Sequence, residues 1–164
     1  MKENLKTDLL ENHNTAINEL SMHLIAEVAG NDIHKMFKLM MKTKLEKYSK
    51  GFWVWDVQKN IELYSPKFRE SLGFEGEEDF PSVPESWMKQ IDEASLKLAL
   101  GTLALTEKTK GKTKYIQRVK YYKKDGGSLD VLCHGVVTKW TEDNKVAVMV
   151  GVHMNEDYLF ETNS

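Results

Sequence analysis

Hydrophobic positions change period along this chain, and the changes mark its elements. Leu9, Leu10, Ile17, Leu20, Leu24 and Val28 recur at helical spacing, and Asp8 with Glu11 three residues on has the pattern of a capping box. Gly30-Asn31-Asp32 interrupts the run: Gly suits a helix end and Asp32 the N-cap of the next helix. That second helix carries Ile33, Met36, Phe37, Met40 and Met41 on one side, with Lys35, Lys38, Lys42 and Lys44 elsewhere. No strand interrupts residues 1–48, so their apolar stripe must be buried against the rest of the domain or against another chain.

From Gly51 the period falls to two. FWVWDV reads as a strand, Asp56 to Asn60 as a turn and Ile61 to Ser65 as a returning strand. Pro66 opens a short helix that Gly73 ends. After an acidic loop, Glu75 to Asp79, Ser86 is placed to cap a helix carrying Trp87 and Ile91. Asp92 is placed to cap a longer one with Leu96, Leu100 and Leu103 along one side.

Three strands follow between Lys114 and Asn155, joined by Asp125-Gly126-Gly127 and by Thr141-Glu142-Asp143-Asn144. In the first, Tyr115, Gln117, Val119 and Tyr121 share one face, and Ile116, Arg118, Lys120 and Tyr122 the other. The last, Val146 to Met154, is apolar almost throughout, which predicts burial on both faces. Its face of Val148, Val150, Val152 and Met154 suits the N-terminal helix, and Met149, Gly151 and His153 turn the other way.

Composition narrows the class. With 164 residues, 41% hydrophobic and 29% charged, the chain has the make-up of one globular domain with an appendage. A net charge of −2 gives no electrostatic case for nucleic acid. No apolar run approaches the roughly 18–20 residues that span a bilayer, so no membrane contact is expected. The N-terminus lacks the uninterrupted apolar core of a signal peptide, and the single cysteine fits a reducing compartment, so a cytoplasmic protein is expected.

Five local motifs in this order resemble the PAS fold. GFWVWDV resembles the opening strand of the PAS subgroup that begins Gly-x-Trp-x-Trp-Asp, and YSPKFRESLGF its second strand and Leu-Gly-Phe helix. SWMKQIDEASL resembles the segment before the long helix, RVKYYKKDGGSLDV the Arg-x-x-x-Lys-Asp-Gly hairpin, and VMVGVHMNED the last strand. The match covers residues 51–156. Two features depart from the pattern: the His-Pro before the long helix is missing, and Asn155 stands where the final Asp is usual.

The resemblance implies an α+β chain with a five-stranded antiparallel sheet in the order 2-1-5-4-3, with short helices around a small cavity on one face. It divides the chain into an N-terminal helical extension (1–48), a PAS domain (49–156) and a C-terminal tail (157–164). Facing the cavity it places Trp53, Trp55, Tyr115, Val119, Tyr121, Val131, Cys133, Met149, Gly151 and His153. Among these, Trp53, Trp55, Tyr115, Tyr121, Val131, Cys133, Met149 and His153 form the candidate ligand site.

His153 is the expected polar anchor of a ligand, the other reading being a histidine satisfied by internal bonds. Cys133 reads as a small buried hydrophobe, because the Asn-Cys-Arg-Phe-Leu motif of flavin-binding light sensors is absent. The long helix lacks the histidine that would ligate haem. Neither flavin nor haem is therefore expected, although an unidentified small ligand fits the resemblance. His13, His23 and His34 have no metal-ligand spacing.

Three functions remain open at this point. The first is a sensory PAS module that binds a small ligand and forms a homodimer through the N-terminal helices and outer sheet face. It would act alone or with an attached or separate effector. The second is a ligand-free dimerisation scaffold. The third is a small cone-shaped α+β enzyme pairing His153 with Asp130 or Asp56, although strand parity turns both carboxylates away from His153.

Overall fold

Residues 16–155 are described here from a computed structural model of the chain. The capping-box residues Asp8 and Glu11, the apolar Leu9 and Leu10, His13, the side chain of Ile17 and the tail 157–164 lie outside the described residues. In order come α1 (Ala16–Val28), α2 (Ile33–Met41), a 3-10 turn at Leu45–Tyr48, β1 (Phe52–Asp56), β2 (Ile61–Tyr64), α3 (Pro66–Ser71), α4 (Pro84–Gln90), α5 (Glu93–Lys108), β3 (Tyr115–Tyr122), β4 (Ser128–Trp140) and β5 (Val146–Asn155).

The five strands form one antiparallel sheet in the order β2-β1-β5-β4-β3. β5 sits between β1 and β4, and every residue from Val146 to Met154 is buried. The parity predicted for this strand holds. Val148, Val150, Val152 and Met154 join Phe52 and Val54 in an outer core with Met22, Ala26, Ile33, Met36 and Met40. Met149 joins an inner core with Trp53, Trp55, Phe68, Trp87 and Tyr121. The sheet is thus the middle of three layers, with α1 and α2 outside and α3 to α5 inside.

Local chemistry sets the helix ends. Asp32, Ser65 and Asp92 accept from the backbone N–H groups of Lys35, Phe68 and Ser95 and so cap α2, α3 and α5. α4 begins at Pro84, three residues before the start expected from a cap at Ser86. Val83 gives it no side-chain cap, and the Ser86 hydroxyl donates to Pro81 O instead. On α5 the buried line runs through Leu96, Ala99, Leu103 and Thr106, while Leu100 is exposed. On α2, Met41 also turns to solvent.

On α1, the stripe of Leu20, Leu24 and Val28 is not covered by this chain's own sheet: the three are 61%, 52% and 77% exposed. The sheet is met instead by Met22, Ala26 and Ala29, whose short side chains let the helix approach closely. Glu19 lies on this inward side. Its Oε1 is 2.9 Å from His134 Nε2, and Lys114 Nζ donates to it at 2.8 Å. Burial would raise the Glu19 carboxyl, but the bonds from Lys114 and His134 outweigh it and hold the group below its ordinary value. His134, on the outward parity expected for it, is 2% exposed.

Trp53 lies in a trough made by two glycines. The register aligns Tyr64, Trp53, Gly151, Gly135 and Tyr115 as one row across the inner face. A Cβ at Gly135 would stand 2.8 Å from both the Trp53 and Tyr115 rings, and one at Gly151 would collide with the Trp53 indole. The two rings meet edge to face at 6.2 Å. Gly151→Ala should therefore displace Trp53 and cost about 1–3 kcal/mol, as overpacked cores do. Urea denaturation followed by tryptophan fluorescence checks this, and unchanged stability would show that the trough is not needed.

Candidate functional site

The inner face closes around a cavity of about 20 Å³, room for about one water. Trp53, Trp55, Tyr115, Tyr121, Cys133 and His153 line it, as does Val119. Val131 and Met149 belong to the surrounding core but do not reach the cavity. Sequence reading left out Glu62, Tyr64, Phe68, Trp87 and Gln117, all of which line it. Two of these were legible by parity: Glu62 is two residues before Tyr64 on β2, and Gln117 lies between Tyr115 and Val119 on β3.

These added residues bring further polar groups to the cavity wall. The register sets Glu62 opposite Trp55. The Trp55 and Trp87 rings meet edge to face at 6.4 Å. Both indole N–H groups are buried without a hydrogen-bond partner, and so are the two polar atoms of the Gln117 amide. Most buried polar groups in proteins are paired, so four such atoms in Trp55, Trp87 and Gln117 mark unusual local chemistry.

Tyr64 reveals the state of Glu62. Its hydroxyl oxygen lies 2.7 Å from Glu62 Oε2 and 2.7 Å from the Val83 carbonyl oxygen. A hydroxyl carries one proton, and a carbonyl oxygen only accepts. Tyr64 therefore donates to Val83, and the second contact is complete when a protonated Glu62 donates to Tyr64. Burial also favours this form, pushing the Glu62 carboxyl up to about 8. This chain of bonds ties β2 to the residue that precedes α4.

His153 lines the cavity on the face that strand parity predicted. Its ring is packed 4.6 Å from Phe68 and 5.2 Å from Tyr121, with no side-chain hydrogen bond among the described residues. Burial drives its imidazole down to about 3. Burial likewise pushes the Cys133 thiol up to about 12, and Tyr115 and Tyr121 well above the ordinary phenol range. Every titratable group on the cavity wall is thus uncharged at neutral pH.

His153 is not paired with Asp130 or Asp56. Asp130 is exposed, and Asp56 caps the turn after β1 by accepting from Lys59 N. Neither faces His153. Among the described residues no cluster of three or more His, Cys, Asp or Glu side chains is placed to hold a metal ion, and no helix is long and apolar enough to cross a membrane.

Glu62 and His153 give opposite pH dependences. The native state keeps the Glu62 proton that the unfolded chain releases above about 4.5, so this group costs stability as pH rises from there to about 8. The unfolded chain takes up a His153 proton below about 6.5 that the native state refuses until about 3, so this group costs stability as pH falls. Between pH 6.5 and 8 only the Glu62 slope acts, at about 1.4 kcal/mol per pH unit. Across that interval the wild type should lose about 1–2 kcal/mol relative to Glu62→Gln in urea denaturation. Parallel pH profiles of the two proteins would show that Glu62 ionises as an ordinary carboxyl.

No protein-family model and no curated protein matches the chain by sequence. Solved structures do match. One is a sensory box histidine kinase/response regulator from Burkholderia thailandensis, at a TM-score of 0.58 and 19% identity over 77% of this chain and 89% of that one. A second is the N-terminal domain of a diguanylate cyclase with a PAS/PAC sensor from Marinobacter aquaeolei, at 0.53 and 11% over 64% and 93%. A third is the PAS domain of the fruit-fly ELK potassium channel, at 0.53 and 16% over 73% and 96%. The chain has the PAS fold, with the strand order that the sequence motifs implied.

Proposed function

We propose that this chain is a sensory signal-transduction module, non-catalytic, which takes its input at the inner cavity and acts as a homodimer. One observation carries the reading: the cavity wall holds the unpartnered buried polar atoms of Trp55, Trp87 and Gln117. A core selected only for stability would use apolar side chains there or pair these groups. The sensor and PAS proteins that share its fold support the same reading. Native mass spectrometry of freshly purified protein is the test. A small molecule that leaves on denaturation is expected. A bare chain whose core tryptophan signals no metabolite mixture moves would favour the ligand-free scaffold.

The dimer rests on one of the two observations that the sequence suggested, the apolar stripe of the N-terminal helix. The N-terminal helices already cover their own sheet, so that requirement needs no second chain. What remains is the row of Leu20, Leu24 and Val28, four residues apart, turned away from the sheet. The same row on a second copy would cover it. Leu20→Glu with Leu24→Glu should give a monomer in sedimentation velocity, with thermal stability close to that of the wild-type fold. A double variant that stays dimeric would place the interface elsewhere.

A further inference from the structure

The cavity's hydrogen-bonding groups are unequal in number, and that inequality describes the guest. An indole N–H only donates, so Trp55 and Trp87 together contribute two donors and no acceptor. Gln117 adds two N–H donors and one carbonyl acceptor, all unpartnered. Glu62 is engaged with Tyr64 through Oε2. A guest that fits must chiefly accept.

Charge narrows the class further. Tyr64 geometry makes Glu62 a neutral acid, and His153, Cys133, Tyr115 and Tyr121 are uncharged at neutral pH. No Lys or Arg lines the cavity. An ionised guest would lose its hydration and meet no counter-ion.

We propose that the cavity binds a small uncharged molecule of the amide type, whose carbonyl oxygen accepts from Trp55 and Trp87 and whose N–H donates to Gln117 Oε1. The proposal rests on reading the cavity as the input site. In the present state the space suits about one water, so a guest of a few heavy atoms must move a wall. α4, which carries Trp87, is a candidate for that wall: it is seven residues long and lacks a side-chain cap.

The four tryptophans give four indole N–H signals in a proton–nitrogen correlation spectrum, assigned with Trp55→Phe and Trp87→Phe. Acetamide, sodium acetate and methylammonium chloride are titrated separately at pH 6.5. Acetamide should move the Trp55 and Trp87 signals saturably and leave Trp140, which lies outside the cavity, unmoved. Gln117→Leu should weaken that binding at least tenfold. Should the Trp variants fail to fold, Glu62→Gln provides a second arm. Acetamide affinity should fall above pH 8 in the wild type, where the ionised carboxylate competes for the indoles, and stay level in Glu62→Gln. Saturable binding of acetate or methylammonium at the same signals would overturn the ligand class while leaving the input-site reading intact. If no probe moves Trp55 or Trp87 and native mass spectrometry shows a bare chain, the input-site reading falls and the proposal with it.

Discussion

β5 is apolar on both faces from Val146 to Met154, and a central strand of that kind needs a packed layer against each. The inner layer comes from α3, α4 and α5. The outer layer comes from α1 and α2, which makes the N-terminal segment part of the fold. Without them, Val148, Val150, Val152 and Met154 would face water together with Phe52 and Val54. Burial of about 0.8 kcal/mol per CH₂ makes that exposure prohibitive for a domain of this size. The PAS fold is therefore stable here as three layers.

The two layers are filled differently. The outer core is aliphatic and methionine-rich, and such side chains pack without directional demands. The inner core is dominated by aromatic rings, with Trp53, Trp55, Tyr64, Phe68, Phe80, Trp87, Tyr115 and Tyr121 in contact. Rings leave gaps at their edges and bring N–H and O–H groups inside. Glycine at 135 and 151 lets Trp53 lie flat, and the Trp55 and Trp87 indoles remain unpartnered. The unpartnered indole N–H groups are a consequence of filling a small half-barrel with large aromatic residues.

Much of this was legible from parity, because a strand offers only two faces and a one-residue slip exchanges them all. The turn residues Gly126 and Asn144, both at positive φ, fixed the hairpins, and the motif order fixed the topology. Two parts were not legible, for physical reasons. On α1 the strongest apolar period, Leu20-Leu24-Val28, lies on the exposed side, because close helix-to-sheet approach selects Ala26 and Ala29 over leucine. The partners that permit Glu19 on the buried side, Lys114 and His134, are about a hundred residues away in sequence. In the cavity, Glu62 and Gln117 have inward parity, but parity alone does not mark a polar residue as buried. Their burial depends on neighbours from other strands and helices that no local pattern displays.

The two layers meet most directly at one peptide unit of β4. Cys133 lines the cavity beside Gln117 and His153, its register partners on β3 and β5. The next residue, His134, points through the other face to Glu19 of α1. Because successive side chains on a strand leave in opposite directions, a shift of Cys133 moves His134 by a comparable amount. Apolar contacts between Val148 or Val150 and α2 tolerate sliding, since they have no preferred direction. The His134–Glu19–Lys114 contact does not tolerate it, because hydrogen bonds weaken steeply with distance and angle. This polar cluster and the bond from Thr138 Oγ1 to Asn31 Oδ1 are therefore the directional ties between β4 and the N-terminal helices.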